Sequence, residues 1–250
     1  MSVETTNEIN EDVADVEMTF MDHLEELRKR IFYSLIGVVA GAIICGMFTD
    51  QIINVLLFPA KSNKIDLQNL KPFGQLFLYF EVFLIGGSIL SLPNVFYQFW
   101  KFISPALRKR ERRYISAIVA FSTICFLGGV VFSYFVMLPA AFSFAASFGS
   151  ADIKNAFAID EYMSIILSVM LGAGLVFELP MISFFLSKLG ILTPGVMRKY
   201  RRHAIVVILI VAALLTPGTD PVSQVLLAIP LLILYEISIL VSKFSSKKIE

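Results

Sequence analysis

The sequence predicts an all-α polytopic membrane protein with six transmembrane helices, cytoplasmic N- and C-termini, and a concave groove beside short fifth and sixth helices. The first reason is composition: 57% of the residues are apolar and 16% are charged, whereas soluble domains are about half apolar and about a quarter charged. The second is that six apolar runs alternate with polar segments. The third is that the basic residues gather on alternate segments.

An amphipathic segment at residues 21–31 leads directly into the first apolar run. Leu24, Leu27 and Ile31 recur at the spacing of one helix face, and three consecutive cations, residues 28–30, precede the apolar run. Cations in this position stay on the side of the membrane where the chain is made. The segment therefore predicts an interfacial helix that holds the N-terminus in the cytoplasm. Residues 1–17 are acidic and polar, and we expect a disordered tail there instead of a signal peptide.

The apolar runs predict spans at about residues 31–48, 76–99, 114–138, 162–189, 204–215 and 222–241. A short interfacial helix is expected at residues 51–58, and Pro139 is expected to close the third span. The fifth run is so short that its helix would reach only about 18 Å, against a hydrocarbon core of about 30 Å. Gly37 and Gly41 have the spacing of a close helix contact, which also arises by chance.

The orientation follows from the positive charges. Of the 21 lysines and arginines, 17 lie in the N-terminal segment, the second and fourth loops and the C-terminal tail, and 4 lie in the other loops. Because Lys and Arg are enriched in cytoplasmic loops, this distribution predicts six spans with both ends in the cytoplasm.

One acid, Glu178, falls inside the fourth span, where an ionised carboxylate costs roughly 2.5–3.5 kcal/mol unless it meets water or a partner. A short helix beside a buried acid suggests a partly wetted groove instead of a sealed bundle. Such an acid can simply bond a neighbouring helix, but it is also a functional candidate. Pro93, Pro180 and Pro230 are expected to bend their spans.

Several other classes of site are weakly supported. Cys45 and Cys125 lie in apolar runs and are expected to be buried free thiols. His23 and His203 lie at cytoplasmic edges without a second ligand at metal spacing, so we expect no metal, cofactor or catalytic residues. A secondary transporter would predict inverted repeats, and an intramembrane enzyme would need a nucleophile and a base within the spans. A purely structural scaffold would not need the acid in the fourth span.

Seven ordered motifs make the sequence similar to the TatC family, the receptor subunit of the twin-arginine protein translocase. They are HLEELRKR at 23–30, Pro93 with YQFW at 97–100, SPALRKRERR at 104–113, FSYFVMLP at 132–139, GLVFELP at 174–180, LTP at 215–217 with Asp220 and Gln224, and AIPL at 228–231 with LYE at 234–236. The resemblance covers about residues 18–244, which we take as one membrane domain followed by a cytoplasmic tail at 245–250.

The resemblance implies a receptor, not an enzyme, that binds the Arg-Arg signal peptides of folded precursors at the cytoplasmic face. It also implies partnership with TatA- and TatB-type single-span proteins, with further copies of this chain and with membrane lipids, but not with nucleic acid. Transport would use the proton-motive force. The expected location is a bacterial inner membrane, with an organellar membrane less favoured, since the acidic N-terminal segment has no transit-peptide character.

The positions that match the family's signal-binding acids are Glu26 and Glu111. From spacing alone, a surface ion pair with a cation three or four residues away explains each of them better than a binding role. The resemblance favours binding, because two guanidinium forks match two carboxylates bidentately and lysine cannot. The expected signal-peptide site comprises Glu26, Glu111, His23, Arg28 and Arg112. The expected contact with partner helices comprises Gln224, Thr216, Pro217 and Asp220.

Overall fold

The structure is a computed structural model and describes residues 20–63, 65–104, 115–147, 157–188, 190–215 and 221–246. Within these residues, five helical stretches are long and apolar enough to cross a membrane: Met21–Met47, Gly74–Ile103, Ile115–Ser147, Ile159–Lys188 and Leu227–Phe244. The prediction of a helical, multi-pass membrane protein is confirmed. The tail predicted at residues 1–17 lies outside the described residues.

The long helices are connected by short helices and two very short strands. In chain order the elements are α1 (Phe20–Met47), α2 (Thr49–Leu56), α3 (Phe58–Ser62), β1 (Leu67–Gln68), α4 (Gly74–Ile103), α5 (Ile115–Phe132), a π-helical segment (Ser133–Met137), α6 (Leu138–Ser147), β2 (Phe157–Ala158), α7 (Ile159–Val176), α8 (Leu179–Lys188), α9 (Pro194–Lys199), α10 (Arg201–Leu215) and α11 (Pro221–Ser246). The amphipathic segment at 21–31 is helical and continuous with the first span. The short helix predicted at 51–58 is present as α2.

Helices α1 and α4 pack antiparallel along most of their length. The ring of His23 stacks on Phe102 at one end, and Cys45 lies beside Gly86 near the other. About one turn from Cys45, the backbones approach so closely that a Cβ atom added to Gly41 would lie 2.5 Å from the carbonyl oxygen of Gly87. The glycine spacing in the first span therefore marks a real helix contact.

The third span continues past Pro139, contrary to the prediction. Ser133–Met137 forms a π-helical segment, and Pro139 lies in the first turn of α6. A proline is tolerated there because its missing N–H removes no hydrogen bond from the first turn of a helix. The π segment supplies the change of geometry that starts a new helical stretch.

The fourth and sixth spans also differ from prediction. The fourth is interrupted at Phe177 and Glu178, shortly before Pro180, whereas Pro93 and Pro230 lie inside unbroken helices.

Helix α11, which contains the sixth apolar run, has 26 residues, about 39 Å at 1.5 Å per residue. The prediction of a short sixth helix is therefore wrong, because the helix continues beyond its apolar run through Lys243. Helix α10 has 15 residues and stays short.

Two segments predicted as separate polar loops join at one end of the molecule. Strands β1 and β2 pair in parallel, and the Nζ atom of Lys71 lies 2.5 Å from the Oδ2 atom of Asp160. This hydrogen bond and the carboxylate's charge raise the pKa of the exposed Lys71 amine. The buried hydroxyl of Tyr162 accepts a hydrogen bond from the N–H of Ala60 and donates one to the carbonyl of Leu56.

Many large apolar side chains remain exposed on the outer faces of the helices, including Ile31, Leu35, Val39 and Ile43 of α1. Such surfaces are rare on soluble monomers but suit contact with lipid chains. Helix α7 is enclosed instead, since Tyr162, Met163 and Ile166 have at most 1% of their surface exposed. Cys45 is buried and Cys125 half-buried, both as free thiols.

The close contact between α1 and α4 gives a direct test. Replacing Gly41 with Ala should lower the thermal unfolding temperature of the purified protein, because the new methyl group would collide with the Gly87 backbone. The control is Gly128→Ala, where an added Cβ atom meets nothing within 4 Å. Both changes gain about 0.8–1 kcal/mol of helix propensity, so only the collision separates them. Equal unfolding temperatures in the two variants would contradict the packing described here.

Candidate functional site

The carboxylate of Glu26 lies on the face of α1 that is turned toward α4. Its Oε1 atom is 3.0 Å from a terminal nitrogen of Arg30, and 19% of its side-chain surface is exposed. The neighbouring Glu25 is exposed. Side chains three or four positions apart on a helix lie close together. Lys29 and Arg30 are the two cations at those positions, and it is Arg30 that pairs with Glu26.

Arg30 connects this acid to the next span. Its other terminal nitrogen donates a 3.1 Å hydrogen bond to Oε1 of Gln98 in α4. Gln98 in turn donates to Asn94 at 3.4 Å, and Asn94 donates to the backbone carbonyl of Tyr33 at 3.1 Å. The acid and its cation therefore belong to a polar cluster shared by α1 and α4, and we call these side chains, Glu26, Arg30, Gln98 and Asn94, the Glu26 cluster.

The other predicted signal-site residues are only partly described. His23 lies at the same end, with its ring 4.5 Å from that of Phe102, and Arg28 is exposed. Glu111 and Arg112 lie outside the described residues. The structure thus brings His23 and Glu26 to one end of the α1–α4 pair, and it does not test their roles.

Glu178 occupies the interruption between α7 and α8 and is 6% exposed. Glu178 lies ten positions before Lys188, the last residue of α8, and ten positions correspond to about 15 Å along a helix. Its own N–H bonds to the carbonyl of Leu175, and its carbonyl accepts from Ile182. The interruption suits Pro180, which cannot continue the hydrogen-bond pattern of α7 because it has no N–H.

A serine and a tryptophan from two other helices surround this acid. Ser122 of α5 lies beside the Glu178 carboxyl group. The Nε1–H group of Trp100, at the end of α4, donates to the Ser122 hydroxyl at 3.3 Å. Since the indole can only donate, the hydroxyl accepts from Trp100 and is free to donate to Glu178. Oε1 of Glu178 is buried without a hydrogen-bond partner among the described residues.

Three of the four residues predicted to contact partner helices, Thr216, Pro217 and Asp220, lie outside the described residues. Gln224 is half-buried, and its amide donates a 3.0 Å hydrogen bond to the carbonyl of Leu209 in α10. This bond joins the short helix α10 to α11. Whether Gln224 also meets a partner stays a prediction.

Arg30, Asn94 and three further polar side chains in these clusters were not predicted as site residues. The three are Gln98, Trp100 and Ser122. Gln98 and Trp100 are in the YQFW motif at the end of the second span. The motif indicates an aromatic belt at the membrane interface, but it does not indicate which side chains these two residues contact. Ser122 is a small residue inside an apolar run. Its position opposite Glu178 depends on how the two helices pack, which no local pattern specifies.

The chain matches a known protein family over most of its length. Residues 22–230 match the family model described as Sec-independent protein translocase protein (TatC). The TatC protein of Carboxydothermus hydrogenoformans is 38% identical over 234 residues, 94% of this chain and 96% of that protein. The chloroplastic TATC protein of Pisum sativum is 38% identical over 221 residues, 88% of this chain and 63% of that protein.

Two solved structures are similar in both fold and sequence. A crystal structure of the twin arginine translocase receptor TatC superposes with a TM-score of 0.81 at 34% identity, over 90% of this chain and 99% of that one. A second, described as TatC in DDM, gives a TM-score of 0.80 at 35% identity, over 87% of this chain and 98% of that one.

The contacts of Ser122 predict a stability effect. In Ser122→Ala the Trp100 N–H loses its buried acceptor and the Glu178 carboxyl loses a neighbouring hydroxyl, so the free energy of unfolding should fall by about 1–3 kcal/mol. The control is Ser88→Ala, because the Ser88 hydroxyl bonds only to a carbonyl of its own helix. Thermal unfolding in one detergent measures both variants. A Ser122→Ala protein as stable as the control would show that the Trp100, Ser122 and Glu178 contacts contribute nothing.

Proposed function

Because the chain belongs to the TatC family of Sec-independent protein translocase proteins, we propose that it is the signal-peptide receptor of a twin-arginine translocase. In this role it binds the Arg-Arg segment of folded precursor proteins at the cytoplasmic face. The ligand acids are Glu26 and Glu111, with His23, Arg28 and Arg112 around them. The activity is transport instead of catalysis, in keeping with the names of the relatives.

The observation that carries this proposal is the position, exposure and pairing of the Glu26 carboxylate. It lies at the end of the helices where the basic residues gather, it is partly exposed, and it already holds a guanidinium group at 3.0 Å. A carboxylate that accepts an internal arginine has the geometry to accept a signal arginine. A guanidinium can bind both carboxylate oxygens at once, whereas an ammonium group makes a point contact, so such a site distinguishes arginine from lysine.

The acids alone would not hold a precursor. Exposed ion pairs contribute about 0.2–1 kcal/mol each, which is far below the roughly 8 kcal/mol of micromolar binding. The apolar segment of the signal supplies the larger share, at roughly 0.8 kcal/mol per buried CH₂ group. Leu24, Ile31 and Leu35 leave an apolar stripe exposed on α1, on the side of the helix away from Glu26, and this stripe is a candidate lipid or partner contact.

Glu178 is proposed to act within the membrane. One of its carboxylate oxygens has no hydrogen-bond partner among the described residues, so it can accept a hydrogen bond from a polar group on an inserting signal or on a TatA- or TatB-type helix. Gln224, Thr216, Pro217 and Asp220 are proposed as the contact with those partner helices. Further copies of this chain would complete the assembly, and the proton-motive force would drive transport.

The placement in the membrane follows the charges. With 17 of the 21 basic residues on one set of segments, we place both termini and the second and fourth loops in the cytoplasm of a bacterial inner membrane. Helix α10 serves as the fifth of six spans. Because it is about 22 Å long, it would thin the bilayer locally and form one side of a concave groove.

The receptor role predicts a specific binding pattern. The purified protein in nanodiscs should bind a fluorescent Arg-Arg signal peptide more tightly than its Lys-Lys twin. In Glu26→Ala the preference should fall by roughly two- to fivefold, equivalent to up to about 1 kcal/mol for one partly exposed ion pair. Glu111→Ala is expected to lower it as well.

The matched control for this experiment is Glu25→Ala, which removes an exposed carboxylate from the same turn of the helix and should leave the preference unchanged. Equal affinity for the two peptides in the unmodified protein would rule out the receptor role at this site.

Glu178 should matter for transport. Replacing it with Gln keeps the shape but removes the charge, and replacing it with Ala removes both hydrogen-bond acceptors. We expect export of a folded reporter with an Arg-Arg signal to fall about fivefold or more in both variants, which corresponds to about 1 kcal/mol. Glu236→Gln, at an exposed carboxylate, is the control. Normal export by both Glu178 variants would remove this residue from the mechanism.

A further inference from the structure

Glu26, the acid proposed to bind a signal arginine, is already paired with an arginine of the same helix. A terminal nitrogen of Arg30 lies 3.0 Å from Oε1 of Glu26. An ion pair of this spacing on a helix is usually a weak surface contact. Two features of this pair argue against that explanation.

The first feature is burial. Only 16% of the Arg30 side chain and 19% of the Glu26 side chain are exposed, and the Nε atom of Arg30 is buried without a hydrogen-bond partner among the described residues. The second feature is that Arg30 also bonds Gln98, 68 positions away on α4. The guanidinium group is therefore held between two helices by one nitrogen on each side.

This arrangement has a consequence for any incoming guanidinium. A bidentate contact needs both oxygens of the Glu26 carboxylate, and Arg30 already uses Oε1. A signal arginine that binds with its full fork would set a second guanidinium group against Arg30 at that oxygen, and the repulsion between the two cations favours displacement of Arg30 from Glu26. The displaced Arg30 still has Gln98 as an acceptor, so the exchange leaves neither the carboxylate nor the guanidinium without a partner. Leaving a partly buried charge unpaired would be costly.

We propose that Arg30 sets an affinity threshold for signal binding: it is an internal guanidinium that occupies Glu26 and must be exchanged for the cationic group of the ligand. This inference rests on the proposed receptor function. The internal contact lowers the affinity of every cationic ligand for Glu26 by the strength of one ion pair. An arginine recovers that loss through its second hydrogen bond, and a single-point cation such as lysine does not. Weak basic peptides are therefore excluded from the site.

The test is a binding measurement with the full-length protein in nanodiscs, at fixed salt, with the Arg-Arg and Lys-Lys signal peptides as probes. In Arg30→Gln the affinity for both peptides should rise by about three- to tenfold, because nothing has to be displaced. The gain should disappear when Glu26→Ala is added. Arg201→Gln is the matched control, since it breaks another arginine–glutamate pair, with Glu236, and should give no gain.

A second variant keeps the cation in the protein. Gln98→Glu offers Arg30 a charged acceptor on α4, which should draw it away from Glu26 and also raise peptide affinity. This variant decides the question if Arg30→Gln fails to fold.

The outcomes separate the two proposals. If the unmodified protein prefers Arg-Arg but both Arg30→Gln and Gln98→Glu bind it no better, or more weakly, then Arg30 positions Glu26 and does not compete for it, and the inference is wrong. A gain that persists in the Glu26→Ala background also overturns it, because the effect would be general charge repulsion. An unmodified protein without any preference for Arg-Arg overturns the receptor proposal itself, together with the inference built on it.

Discussion

The contact between α1 and α4 is the constraint on which the proposed receptor site depends. Apolar packing alone does not fix how two helices align in lipid, because lipid chains are as apolar as the side chains they replace. Here the alignment is set by small and polar residues: Gly41 against the backbone of Gly87, Asn94 on the carbonyl of Tyr33, and Arg30 on Gln98. A shift of one helical turn, about 5.4 Å, would separate Arg30 from Gln98 and leave a partly buried cation with Glu26 alone.

Much of this fold was predictable, because each span is encoded locally as a run of apolar residues and the basic residues mark the connecting segments. The N-terminal helix and its acid were predictable for the same reason. The choice of Arg30 over Lys29 as the partner of Glu26 was not. Both cations lie within reach along the helix, and only Arg30 also meets Gln98, a residue whose position follows from the packing of α1 on α4.

The predictions failed where the backbone departs from a regular helix or where distant segments meet. Pro139 is a typical helix terminator in sequence, but the π segment Ser133–Met137 allows a new helical stretch to begin there. The two polar segments that hold β1 and β2 gave no sign of their parallel pairing. Strands of two residues carry no periodicity, and the contact between Lys71 and Asp160 joins positions far apart in the chain.

The two acids differ in how a ligand could engage them. Glu26 is paired with a full positive charge, and in our proposal a cationic ligand exchanges with that partner. Exchange favours selectivity, since the ligand is compared with an arginine already in place. Glu178 has a neutral hydroxyl beside it, and one of its oxygens has no partner among the described residues. A polar group could therefore be added there without displacing anything, which suits assembly with another helix more than discrimination between ligands. In the proposed function, selection at the end of the bundle and addition within the membrane are separate tasks, and the two acids differ in environment accordingly.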